Sequence, residues 1–69
     1  MEYNFIYDHQ QGILSCNAGK VKVCYFENGE YLKVIRISDN GVVDENPFFN
    51  FTLKNFIESV NHYNKECNP

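Results

Sequence analysis

Apolar and polar residues alternate most clearly in the middle of the chain. From Lys20 to Phe26, and again from Tyr31 to Ser38, β-branched and aromatic residues dominate. The four residues between the runs are Glu27-Asn28-Gly29-Glu30. Two such runs around Asn-Gly predict a hairpin with a two-residue type I′ turn, because Asn and Gly tolerate the positive φ that both central positions require. That turn sets the register. Phe26 falls opposite Tyr31, Cys24 opposite Lys33 and Lys22 opposite Ile35 on one face. On the other, Tyr25 meets Leu32, Val23 meets Val34 and Val21 meets Arg36. The second face is mainly apolar, while the first mixes lysines with aromatic rings.

The flanking segments carry weaker strand signals. Tyr3 to Tyr7 alternates loosely, as an edge strand does, and is stopped by Asp8-His9-Gln10-Gln11-Gly12. Ile13 to Cys16 is a short apolar run that ends in the turn signal Asn17-Ala18-Gly19. Downstream, Asp39-Asn40-Gly41 turns the chain into Val42-Val43, and Asp44-Glu45-Asn46-Pro47 reads as a further break. Phe48-Phe49-Asn50-Phe51 is then either a short strand or an aromatic approach to a helix.

The helix itself is plain. Thr52 is a suitable N-cap, and Leu53, Phe56, Ile57, Val60 and Tyr63 recur at i, i+3, i+4, i+7 and i+10. Lys54, Asn55, Glu58, Ser59, Asn61, His62 and Lys65 fall on the opposite side. The expected fold is therefore α+β: a small antiparallel sheet of three to five strands with one C-terminal amphipathic helix on one face. The Val21/Val23/Tyr25/Leu32/Val34 face is suited to receive the helix stripe.

Length makes this a single domain, residues 1–69. A chain so short buries only ~60% of the surface its unfolded form exposes, so its core needs help. Six Phe and five Tyr supply it, each able to remove ~150–250 Å² from water. They also exceed what one helix and one small sheet can hide. Some rings must stay exposed or enter an interface, and a homodimer is one way to cover them.

A net charge of −3 excludes the broad basic field of a typical duplex-DNA binder. Nothing approaches the ~20 apolar residues of a membrane span. Cys16, Cys24 and Cys67 are odd in number and contain no CxxC pair, and Met1 to Tyr7 resembles no signal peptide. The chain accordingly reads as cytoplasmic, with reduced thiols. Ten asparagines suggest an AT-rich coding sequence, which phages and mobile elements often have, as do many cellular genomes; a phage product would work in the cytoplasm of its host.

Catalysis has little to build on. His9 and His62 have no Ser or Cys partner in a recognisable arrangement, and two carboxylates beside Pro47 suit a turn better than an acid–base pair. Three Cys and two His lack zinc-ligand spacing, and no glycine-rich loop runs from a strand into a helix. We expect no enzyme, no cofactor and no metal.

Two surfaces remain as candidates. Lys20, Lys22, Phe26, Tyr31 and Lys33 share the mixed hairpin face, with Cys24, Ile35 and Ile37. Rings interleaved with cations on an open sheet are what single-stranded nucleic-acid binders use, the rings stacking on bases while the cations follow the phosphates. The structural alternative is a face covered by the N-terminal segment or a second subunit, its lysines reaching past to water. The other surface is acidic: Glu27 and Glu30 at the hairpin tip, with Asp39, Asp44 and Glu45 in the next two turns. Together with Phe48 these are the candidate protein-binding residues, provided the turns gather into one rim facing a basic partner.

The order Lys20–Phe26, Tyr31–Ser38, Asp39-Asn40-Gly41 and Phe51-Thr52-Leu53 entering a helix resembles the single-strand-binding domain of the eukaryotic transcriptional positive cofactor and its phage relatives. That resemblance implies a homodimer formed through the helices. Where the family has a basic, glycine-rich segment, this chain has Asp44-Glu45-Asn46-Pro47-Phe48-Phe49. The leading expectation is therefore a small protein-binding module. It would be an inhibitor or adaptor, phage- or mobile-element-encoded and aimed at a host-defence or nucleic-acid-handling enzyme, in the style of anti-CRISPR proteins. The alternative is a homodimeric single-strand binder.

Overall fold

The computed structural model describes residues 3–66, so Cys67 lies outside the described residues. Its centre is the expected hairpin. Strands β3 (Val21–Phe26) and β4 (Tyr31–Arg36) pair antiparallel in the register read from the sequence, from Val21 opposite Arg36 to Phe26 opposite Tyr31.

The turn between them is not the expected one. Among residues 27–30 only Glu30 is left-handed, at φ 49°, whereas a type I′ turn needs that conformation at Asn28 and Gly29. The cause lies on either side. The Glu27 N–H donates to the Gly12 carbonyl at 2.9 Å, and the Glu30 carbonyl accepts from the Phe48 N–H at 2.8 Å. The residues that would bond each other across a type I′ turn are both drawn outward. Gly29 is needed for space: a Cβ there would lie 2.5 Å from Cε1 of Tyr31.

The neighbouring strands extend the hairpin in chain order. Strand β1 (Phe5–Asp8) pairs with β2 (Ile13–Ala18), β2 with β3, and β4 with β5 (Val42–Pro47), giving a five-stranded sheet ordered β1-β2-β3-β4-β5. Asn17 and Ala18 belong to β2, and the turn falls at Gly19-Lys20. Gly19 has φ 64° and Lys20 has no positive φ, the pattern of a type II′ turn, which asks for Gly in its first central position.

A second correction concerns Asp44-Glu45-Asn46-Pro47, which form the body of β5 and no break. They lie opposite Val34, Lys33, Leu32 and Tyr31. The strand is at the sheet edge, so its outer side meets water, where carboxylates are tolerated and the missing N–H of Pro47 is not missed. A bulge between Val34 and Ile35 takes up Val43.

Helix α1 (Leu53–Glu66) lies across β2 and β3. Thr52 caps it, its Oγ1 accepting the Asn55 N–H at 3.0 Å. Phe56 and Val60 are fully buried against Cys16, Ala18, Val21, Val23, Tyr25, Leu32 and Val34. Ile57 and Tyr63 are half-buried. Leu53 departs from expectation and is 50% exposed. Phe51 takes the place expected for it, stacked on Tyr25 at 4.3 Å and 6.0 Å from the Phe56 ring. Phe48 meets the edge of Tyr25 at 5.7 Å. The 48–51 segment is thus an aromatic approach to the helix. Among the described residues, no helix is long and apolar enough to cross a membrane.

Candidate functional site: the open face of the sheet

The helix, Phe48, Phe51 and Tyr3 all pack on one side of the sheet. The N-terminal segment does not cover the other side, because its strand β1 is spent on lengthening the sheet. Among the described residues the second face therefore has no cover. The register arranges that face as three rows. Asp8, Ile13, Phe26, Tyr31 and Pro47 form the first, and Ile6, Ser15, Cys24, Lys33 and Glu45 the second. Asn17, Lys22, Ile35 and Val42 form the third. Six aliphatic or aromatic side chains here, those of Ile6, Ile13, Phe26, Tyr31, Ile35 and Val42, are half-buried or exposed.

The floor of this face is closed. Ser15 is buried and its hydroxyl donates to the Ile6 carbonyl at 3.4 Å. Cys24 is buried beside it. Loss of water pushes its thiol pKa up, against the pull of the Lys22 and Lys33 charges. Cys16 lies on the helix side, where burial again raises the thiol. Both cysteines are free, and the pleat holds them on opposite faces of the sheet, which keeps them from bridging each other.

Phe26 and Tyr31 are brought together as the register requires, their rings stacked at 4.6 Å and 3° from parallel. The Lys33 ammonium stands 5.4 Å from the centre of the Phe26 ring and 3.8 Å from a Glu45 carboxylate oxygen. Lys20 is displaced from this group. It sits in the β2–β3 turn at the far end, where Gly19, Lys20, Arg36, Ile37 and Ser38 line a shallow hollow of about 370 Å³.

The acidic candidates do not gather into a rim. Glu27 and Glu30 are at one end of the hairpin and Asp39 is past the other end of β4, because a strand separates the two turns. Most are also occupied. Glu27 accepts the Tyr7 hydroxyl at 2.8 Å, Asp39 holds Arg36 through Nε and Nη2 at 3.0 and 3.2 Å, and Glu45 holds Lys33. Asp44 points to the helix side and accepts the Tyr63 hydroxyl at 2.5 Å. Phe48 turns inward onto Tyr25, so it is packing and not a free contact.

No family model, curated protein or solved structure matches this chain. The site must be read from its own chemistry.

The Asp44–Tyr63 bond ties the end of the helix to the β5 edge and predicts an acid response. The Tyr63 hydroxyl, first among its causes, holds the Asp44 carboxyl below the usual carboxylate range. A depressed carboxylate stabilises the fold above its unfolded pKa of ~3.9, and that stabilisation is lost as pH falls through the folded value. Tyr63→Phe should therefore lower the urea midpoint near neutral pH, with the gap from wild type closing in acid. A gap that stays constant down to the acid limb would show that the bond does not act through Asp44.

Proposed function

We propose that this domain is a non-catalytic protein-binding module that receives its partner on the open face of the sheet, not on the acidic turns. One observation carries the reading: the one helix among the described residues lies on one side of the sheet, and the other side combines an apolar strip with few, partly satisfied charges. Ile13, Phe26, Ile35 and Val42 supply contact area. Lys22 makes no ion pair among the described residues, so the favoured partner surface is apolar with carboxylates placed to meet it. A mixed, half-apolar patch of this kind is the usual anatomy of a transient protein interface.

The single-strand reading draws less support from the same residues. A stacking platform needs free ring faces. Here Phe26 has Tyr31 against it and the Lys33 ammonium near it, while Tyr31 rests against Gly29 and Lys33 is shared with Glu45.

The test pairs two variants in a nuclease-treated lysate from the source cell. Ile35→Glu should abolish retention of the protein partner, while charge reversal at Glu30 should not. In parallel, a labelled oligonucleotide titrated at low salt should show no saturable binding. Saturable binding that is lost in Tyr31→Ala would overturn this reading in favour of single-stranded nucleic acid.

A further inference from the structure

The two edges of the sheet are built differently. An exposed edge offers unpaired N–H and C=O groups to any other strand, and stable proteins blunt such edges with charge, proline or a bulge. Strand β5 has all three: Asp44 and Glu45 in its middle, Pro47 at its end, and the irregularity at Val34/Ile35. Strand β1 has none along Phe5-Ile6-Tyr7. Its Ile6 is 66% exposed and its Tyr7 50% exposed. Only Asp8 is charged there, and its carboxylate is engaged by the Gln10 and Gln11 N–H groups at 3.0 and 3.2 Å.

We propose that β1 pairs antiparallel with β1 of a second copy of this chain, around a two-fold axis at Ile6, joining the two sheets into one. The occupant follows from the sequence of the edge read against itself. Centred on Ile6, Phe5 faces Tyr7 of the second copy and Tyr7 faces Phe5. Ile6 then faces Ile6, and Asn4 faces Asp8. Aromatic meets aromatic, aliphatic meets aliphatic, and no like charges are opposed. The faces agree as well. Phe5 and Tyr7 lie on the helix side, opposite Cys16 and Leu14, and Ile6 lies on the open side. Both copies therefore keep their helices on the same side of the joined sheet.

The backbone fits the same register. The Ile6 carbonyl points toward β2, where the Ser15 hydroxyl reaches it. The outward N–H and C=O groups therefore belong to its neighbours Phe5 and Tyr7, the residues this register sets opposite each other. Ile6 and its counterpart become a non-hydrogen-bonded pair, the closer of the two kinds across an antiparallel ladder. Such pairing sets the two open faces side by side and leaves both uncovered. It stands apart from the protein-binding reading: either can fail while the other holds.

Sedimentation velocity over a concentration series of the full chain tests it. The wild type should approach twice 8.1 kDa as concentration rises. Ile6→Lys should stay at the monomer mass throughout, with an unchanged circular dichroism spectrum. Val42→Lys on the opposite edge and Ile35→Glu on the open face should still dimerise. As a second arm, Ile6→Cys in a Cys67→Ser background, oxidised with diamide, should give a covalent dimer that Val42→Cys does not. A wild type that remains monomeric at every concentration would overturn the proposal. So would dissociation by Val42→Lys or Ile35→Glu in place of Ile6→Lys, or an uncrosslinked Ile6→Cys. Loss of partner capture in Ile35→Glu with the dimer intact would bear on the open face alone.

Discussion

Phe56→Ala should remove cooperative folding. Phe56 is 0% exposed, and it joins the helix to three parts of the molecule at once. The Phe5 ring lies 6.1 Å away on β1, the Phe51 ring 6.0 Å away on the approach segment, and the β2–β3 core lies beneath. Truncating a buried Phe costs ~3–5 kcal/mol. Whole domains have only ~5–15 kcal/mol of stability, and small ones sit at the low end. Urea titration followed at far-ultraviolet wavelengths should show no folded baseline for the variant at room temperature. Leu53→Ala, on the same stripe but half-exposed, should lose under ~1 kcal/mol, as surface changes usually do. Equal losses at the two positions would mean that the helix is not seated as described.

Tyr25→Ala should come next in cost. The ring is buried on the helix side of β3, stacked under Phe51 at 4.3 Å and edge-on to Phe48 at 5.7 Å. Its removal takes away both the core contact and the support for the segment that leads into the helix. We expect ~3–5 kcal/mol again, by the same large-to-small argument. With no Trp in the chain, near-ultraviolet dichroism reports the Tyr and Phe packing directly, and that signal should collapse. Tyr25→Phe keeps the ring and should stay within ~1 kcal/mol of wild type. Should the Phe variant prove as damaging as Ala, the hydroxyl and not the stack would be the important part.

The hairpin register was legible because a period of two leaves no freedom: moving Val23 by one residue would put every apolar side chain on the wrong face. The helix was legible for the same kind of reason, its stripe being long enough to exclude other periods. What escaped was governed by neighbours distant in sequence. Glu27-Asn28-Gly29-Glu30 has the residues of a type I′ turn, but Gly12 and Phe48 compete for its closing groups. Asp44 to Pro47 has the composition of a break, yet pairing with β4 makes it a strand. Leu53 has the right spacing for burial, but Phe51 reaches Tyr25 first. The open face was half legible: Lys22, Phe26, Tyr31 and Lys33 followed from the hairpin. Ile6, Ile13 and Val42 joined them only once the pairing of the outer strands was known. The acidic rim was not there to be read, because it depended on turns that β4 holds apart.

The strand order has a kinetic side. Each strand pairs with the one made just before it, so no pairing step waits for a distant part of the chain. Nearest-neighbour sheets of this kind close short loops, and short loops form fast. As the chain emerges during synthesis, β1 through β5 can zip together one hairpin at a time. The helix comes last, after the surface it must cover has been assembled. Until residues 53–66 arrive, the Val21/Val23/Tyr25 face is bare, and the interval between completing β5 and docking α1 is when this protein is most open to aggregation.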